Sequence, residues 1–260
     1  MGNFTAMDTV TTAYEILEVL SSMACDEQRR VLMRFFKTGP GEYGEGDEFF
    51  GIKVPQTRAV VKEARGTVPF AEIERLLYSR WHEARLCGFL LLVEEMKAAT
   101  PRRRDPDSHG AERRQEIAAF YLRHARQANN WDLVDLSCSY IIGVWLLHQA
   151  PGGGMPDRGL LDRLAESSDL WEQRIAIVST AALIRAGEYA DTLRIATRLL
   201  GHDHDLIHKA VGWMLREVGK RDADLLRTYL DANLRRMHRT TLRYAIERLP
   251  ATERQAWLRR

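Results

Sequence analysis

The chain has 260 residues, 45% hydrophobic and 28% charged, an ordinary balance for a globular fold of one or two domains or one repeat array. Its net charge is only +2, so the average does not suggest nucleic acid. No apolar run approaches the ~18 residues of a membrane span, and "MGNFTAMDTV" lacks the basic-then-apolar order of a secretory signal, so a cytoplasmic protein without membrane association is expected.

Residues 1–12 read as an N-terminal tail and 13–260 as a single domain. Nearly every segment reads as helix, with apolar residues three and four apart. In chain order these are "TTAYEILEVLSSM", "DEQRRVLMRFFKT", "FAEIERLLYS", "RLCGFLLLVEEMKAA" and "RRQEIAAFYLRHARQA". "LLDRLAESS", "WEQRIAIVSTAALIRAG", "YADTLRIATRLLG", "LIHKAVGWMLREVGK", "DADLLRTYLDANL" and "TTLRYAIERLP" follow. The breaks at 37–55, 100–110, 150–159 and 201–205 are rich in Gly, Pro, Asp and Ser. Val54 precedes Pro55 and is expected outside helix. This pattern predicts an all-α protein of stacked antiparallel helix pairs.

Several second helices superpose as repeats. Arg85, Arg174, Lys209 and Arg243 stand at equivalent places before apolar runs, and the last two steps are 35 and 34 residues. "NNWDLVDLSCSYIIG" fits between them and puts Asp135 in the same register. An α-solenoid of HEAT-like repeats, curved around a concave basic cleft, is therefore expected, with these cations in a row suited to a DNA backbone. A carboxylate in that row needs a reason: an ion pair with Arg174, or a partner that carries or develops positive charge. Asp135 also stands one helical turn after Trp131, so ring and carboxylate share a face.

The remaining features have plainer readings. Cys25, Cys87 and Cys138 are expected as buried, reduced thiols. "HDHD" at 202–205 reads as an exposed interhelical loop with no metal. Asp132 reads as a solvent or capping residue, and Trp81, Trp145, Trp171 and Trp257 as packing residues. His124 and His148 read as surface or satisfied histidines. Ser137 and Ser139 lack a suitably spaced His, and the glycines at 39–46 lack a phosphate-loop ending. Residues 221–260 hold ten Arg, no Lys and five acidic residues, a composition that suits forked contact with phosphate or a solvated helical face.

Four pieces in order carry a resemblance: "RFFKTGPGEYGEGDEFFGIKVPQTR", "NNWDLVD", "WEQRIAIV" and "HKAVGWMLREVGK". Over about residues 30–250 the chain resembles the AlkD-type DNA alkylation-repair glycosylases, built of HEAT-like repeats. The resemblance implies a base-excision glycosylase for cationic alkylpurines in duplex DNA, acting as a monomer in the bacterial cytoplasm or nucleoid without metal or other cofactor. It implies catalytic roles for Trp131, Asp135 and Trp213. Arg174 would hold Asp135 ionised or contact phosphate, with Arg85, Lys209, Arg216 and Arg243 as further DNA contacts. It also implies a wide cleft that leaves the base stacked. The family's N-terminal lesion-side aromatic falls among Tyr43, Phe49 and Phe50. The alternative is a non-catalytic helical-repeat scaffold that binds DNA or protein.

Overall fold

The helical periodicities of the sequence become helices in the structure, a computed structural model that describes residues 10–101 and 110–260. Of the expected tail, residues 1–9 lie outside the described residues, as does 102–109 within the expected 100–110 break. Val10 is buried, and its carbonyl accepts a hydrogen bond from Thr67 Oγ1 at 2.9 Å. The chain divides into two compact units, Met1–Arg103 with Glu116–Ser137, and Arg104–Gln115 with Cys138–Arg260.

The first unit holds α1 (Ala13–Ser22), α2 (Asp26–Phe35), α3 (Val54–Ala64), α4 (Phe70–Leu77) and α5 (His82–Ala98). It also holds the later part of α6 (Ala111–Arg123), and α7 (Trp131–Asp135). Thr12 and Glu15 start α1 with a reciprocal capping box, which satisfies free backbone donors of the first turn. α3 begins at Val54, not after it. Pro55 fits the first turn, where its missing N–H has no intrahelical partner to lose. α5 is the centre, in contact with α1, α3, α4 and α7. His82 through Val93 are all buried, so this helix is enclosed around its circumference.

The second unit holds α8 (Cys138–Trp145), α9 (Gly159–Ala165), α10 (Leu170–Arg185) and α11 (Ala190–Leu199). α12 (Asp205–Gly219), α13 (Ala223–Asn233), α14 (Arg239–Ala245) and α15 (Ala251–Arg259) complete it. α8, α10, α12 and α14 pack one on the next, backed by α9, α11 and α13. Arg174, Lys209 and Arg243 fall on successive members of that stack, as their spacing predicts. The fold is thus an all-α solenoid of helix pairs; among the described residues the only extended pairing is an isolated Glu48–Trp81 bridge.

Three local readings are corrected. "NNWDLVDLSCSYIIG" is not one helix: it breaks at residues 136–137 between α7 and α8. Ser137 Oγ donates to the Leu133 carbonyl at 2.5 Å and meets Tyr121 Oη at 3.0 Å, taking up a carbonyl the helix would have used. α15 was not anticipated, because "ATERQAWLRR" carries little apolar signal beyond Trp257, which is buried. Cys25 is exposed, since it caps α2 at the turn after α1; Cys87 and Cys138 are buried. Burial pushes the Cys87 thiol up to about 12, so it stays protonated and inert.

The α8–α10 contact is close because Gly143 faces α10. A Cβ there would overlap the Ser179 carbonyl oxygen and lie 2.7 Å from Ala182 Cβ. Gly143→Val should therefore destabilise the protein by about 1–3 kcal/mol in urea unfolding, the usual cost of overpacking. An unchanged midpoint would show that the two helices separate freely.

Candidate functional site

α7 has five residues, too short to hold its own direction, since isolated helices below about 12 residues are marginal in water. Its start is fixed from outside. Asn130 caps it, accepting the Trp131 N–H at 2.9 Å, and Asn130 Nδ2 donates to Asp47 Oδ2 at 3.3 Å. His82, the first residue of α5, reaches the same place. Its Nδ1 meets Asp47 Oδ2 at 3.0 Å and its Nε2 meets Asp132 Oδ2 at 2.9 Å. Arg85 Nη2 donates to Asp47 Oδ1, and Arg85 Nη1 to the carbonyls of Ser79 (2.8 Å) and Arg80 (3.1 Å). Asp47, His82, Arg85, Asn130 and Asp132 are all buried. Burial alone would push the imidazole down, but the Asp132 carboxylate, and then Asp47, raise it to about 9. Burial likewise pushes Asp47 up, but the His82 hydrogen bond and the Arg85 charge outweigh it and hold Asp47 below its ordinary value. Two cations and two carboxylates thus neutralise one another.

A second clamp sets the loop that brings Asp47 and Phe49 into place. The buried Glu83 carboxylate accepts the backbone N–H groups of Phe50, Gly51 and Ile52 at 3.0, 2.9 and 3.0 Å. Gly51 is required, because its φ of +88° is a left-handed conformation and a Cβ would lie 2.7 Å from Arg29 N.

Aromatic rings pack over the ion cluster. Trp131 stacks on Phe36 with centroids 5.3 Å apart, Phe36 on Phe49 at 5.3 Å, and Phe49 on the His82 ring at 4.5 Å. Phe35 meets Trp131 edge-on at 5.8 Å and is 58% exposed. These rings, with Leu32, Ile52, Pro55 and Leu86, line a cavity of about 400 Å³. Its charged lining is Lys53, His82, Glu83, Asp132 and Asp135. Asp132 Oδ1 is buried and accepts no hydrogen bond among the described residues. The arrangement offers aromatic faces and carboxylates together, which favours a flat or cationic guest.

Trp131 and Asp135, expected on one face, line this one cavity. Asp132 is not the solvent residue expected: His82 draws it into the core. Of the three candidate N-terminal aromatics, Phe49 lines the cavity, whereas Phe50 stacks on Trp81 at 4.2 Å. The sequence reading missed Phe35 and Phe36, whose signal was an apolar pair ending the polar helix α2. It also missed His82, Asp47 and Glu83. Arg85 is corrected as a surface phosphate contact, because it is 4% exposed and engaged with Asp47. Arg174, on α10, is 5% exposed and donates to the Leu206 carbonyl at 2.6 Å, which counts against direct phosphate contact. Lys209 pairs with Asp205 at 2.6 Å, Arg216 pairs with Glu247, and Arg243 is exposed. Trp213 is half-buried on α12 in the second unit.

His124 is buried rather than at the surface; among the described residues neither ring nitrogen is hydrogen-bonded, Nε2 lying 3.5 Å from Glu74 Oε1. His148 Nδ1 meets the Val144 carbonyl at 2.8 Å. In the 201–204 loop the imidazoles serve as local caps. His202 Nδ1 accepts the His204 N–H at 2.9 Å, and His204 Nδ1 accepts the Leu206 N–H at 3.1 Å.

The ion cluster sets a pH dependence. The His82 value of about 9 lies above its ordinary 6.5, so its contribution to stability is whole below pH 6.5 and is lost as pH rises through 9. Asp47 is displaced downward, so its contribution is present above pH 3.8 and is lost on acidification through its lowered value. Urea unfolding across pH 6–9.5 should show declining stability in the wild type and a flatter profile in His82→Gln. Equal slopes in both proteins would remove His82 from the account.

A family model described as DNA alkylation repair enzyme matches residues 16–249. No curated protein matches the chain. Among solved structures, one titled "Predicted DNA alkylation repair enzyme from Enterococcus faecalis" aligns with a TM-score of 0.63 at 17% identity. The alignment covers 88% of this chain and 97% of that one. The likeness of fold agrees with the family match, which spans both compact units: the chain belongs to the DNA alkylation repair enzyme family.

Proposed function

We propose that the protein is a monofunctional DNA glycosylase that hydrolyses the N-glycosidic bond of cationic alkylpurines, of the 3-methyladenine and 7-methylguanine type, in duplex DNA. The observation that carries this reading is Trp131 and Asp135, one turn apart on α7, lining an aromatic-walled cavity. Family membership supplies the damage class.

Alkylation on a ring nitrogen makes the purine a cation and a good leaving group. The C1′–N bond breaks with its electron pair on the base, which departs neutral. Positive charge then develops on the sugar, as in other glycosyl transfers. Asp135 is the residue that meets this charge; it orients the water that adds to C1′ and takes its proton. The Trp131 face attracts cationic and polarised C–H groups of the damaged nucleotide. The resemblance assigns a second aromatic to Trp213 and a supporting guanidinium to Arg174. Lys209, Arg216 and Arg243 remain proposed phosphate contacts, Arg216 only if it exchanges Glu247 for DNA. In this reading residues 13–260 act as one functional repeat domain, and the protein works as a cytoplasmic monomer.

The test is release of 7-methylguanine from methylated duplex DNA by the wild type and by Asp135→Asn, with both folds checked by circular dichroism. Wild-type release should fall by about 10²–10³-fold in the folded variant, the scale of removing one group that stabilises transition-state charge. No release by folded wild type contradicts the reading and favours a binding scaffold. Equal release by the variant takes Asp135 out of the chemistry.

A further inference from the structure

The unit-1 cavity is lined by two cations, Lys53 and the His82 imidazolium, against the carboxylates of Glu83, Asp132 and Asp135, so it has no excess of positive charge with which to grip a phosphate chain. Most cations expected to do so are engaged elsewhere. Arg85 and Arg174 are buried, Lys209 is paired with Asp205, and Arg216 with Glu247. On the α9–α11 side of the second unit, arginines are likewise matched. Arg158 pairs with Glu188 and Asp191, Arg194 with Asp162 and Asp191, and Arg198 with Asp162 and Glu166.

The C-terminal end of the second unit departs from that pattern. A cleft of about 800 Å³ is lined by Arg235, Arg236, Arg239 and Arg260, with Asp231 as the sole acidic lining residue. The four arginines are exposed, while Met237 and Leu242 are buried among its lining residues. Asp231 Oδ1 holds Arg260 at 2.6 Å, and Arg239 Nη2 donates to the Leu258 carbonyl at 2.6 Å. No carboxylate among the described residues pairs with Arg235 or Arg236. Four forked donors facing one carboxylate leave an excess of positive charge that water and salt must otherwise screen. Guanidinium groups match phosphate oxygens in pairs, and Arg is preferred over Lys where such geometry matters.

We propose that this C-terminal arginine cleft binds the phosphodiester backbone of DNA, as a contact distinct from the cavity that bears Trp131 and Asp135. The inference rests on the DNA-repair reading of the family but not on any chemistry at Asp135.

Binding of the full chain to an undamaged fluorescent duplex, followed by anisotropy across a salt series, tests it. The proteins are the wild type, Arg235→Ala/Arg236→Ala/Arg239→Ala, and the matching triple Lys variant. The alanine variant should bind more weakly by about tenfold or more at low salt, and its log K against log salt should flatten by about 1 for each phosphate released. The lysine variant should recover most of the salt slope with less of the affinity. Competition with pyrophosphate separates DNA from a small anion. If the alanine variant loses pyrophosphate binding but keeps wild-type DNA affinity, the cleft is a small-anion site and the proposal fails. Equal affinity and slope for wild type and alanine variant, or no duplex binding by wild type, also overturn it. Base release by Asp135→Asn is read separately, so failure of the glycosylase reading and failure of this one are distinguishable.

Discussion

The buried imidazolium of His82 is the constraint on which the rest of the first unit depends. It bridges Asp47, on an irregular loop, and Asp132, on a five-residue helix that cannot hold its own direction. Without it the buried Asp132 carboxylate would lose its His82 partner and Asp47 would keep only Arg85 and Asn130, and an unpaired buried charge costs several kcal/mol. Arg85 completes the neutralisation from the next turn of the same helix. One helix start, the first turn of α5, thus fixes both the loop and α7. Trp131 and Asp135 inherit their positions from that arrangement, and the aromatic stack runs from His82 through Phe49 and Phe36 to Trp131.

The structure also divides its charges by task. Carboxylates and aromatic faces are concentrated around the first unit's cavity, where a cationic guest and a developing positive charge are matched by the lining. In the last forty residues Arg235 and Arg236, with no carboxylate partner among the described residues, line a cleft with Arg239 and Arg260, where a polyanion is matched instead. A near-neutral total hides this division, because +2 over the chain is a sum of local excesses of both signs. Arg158, Arg194 and Arg198 are spent on carboxylates of the α9 and α11 region and tie those helices together.

The helices and the repeat period were legible because they follow from local spacing. Arg174, Lys209 and Arg243 do fall on stacked helices, as steps of 35 and 34 residues imply. The Trp131–Asp135 pair was legible for the same reason: four residues apart on a helix means one face. What escaped was long-range. Nothing near Asp132 shows that His82, fifty residues earlier, draws its side chain into the core. Nothing near Arg85 shows that Asp47 waits for its guanidinium, so a cation in register was read as a cation on the surface. Phe35 and Phe36 escaped because an apolar pair at the end of a polar helix looks like a helix terminus until the partner ring of Trp131 is in place. Ser137 and the weakly apolar α15 show the limit of periodicity itself, where one side-chain hydrogen bond or one Trp decides the outcome.

The most direct measurement is the nitrogen-15 NMR titration of the His82 imidazole in the full-length protein. The account predicts a charged ring at neutral pH, both N–H groups hydrogen-bonded, deprotonating near pH 9, with a lower value in Asp132→Asn. A His82 that titrates near 6.5, or that is unmoved by Asp132→Asn, would contradict the ion cluster as the element that positions α7 and its two candidate catalytic residues.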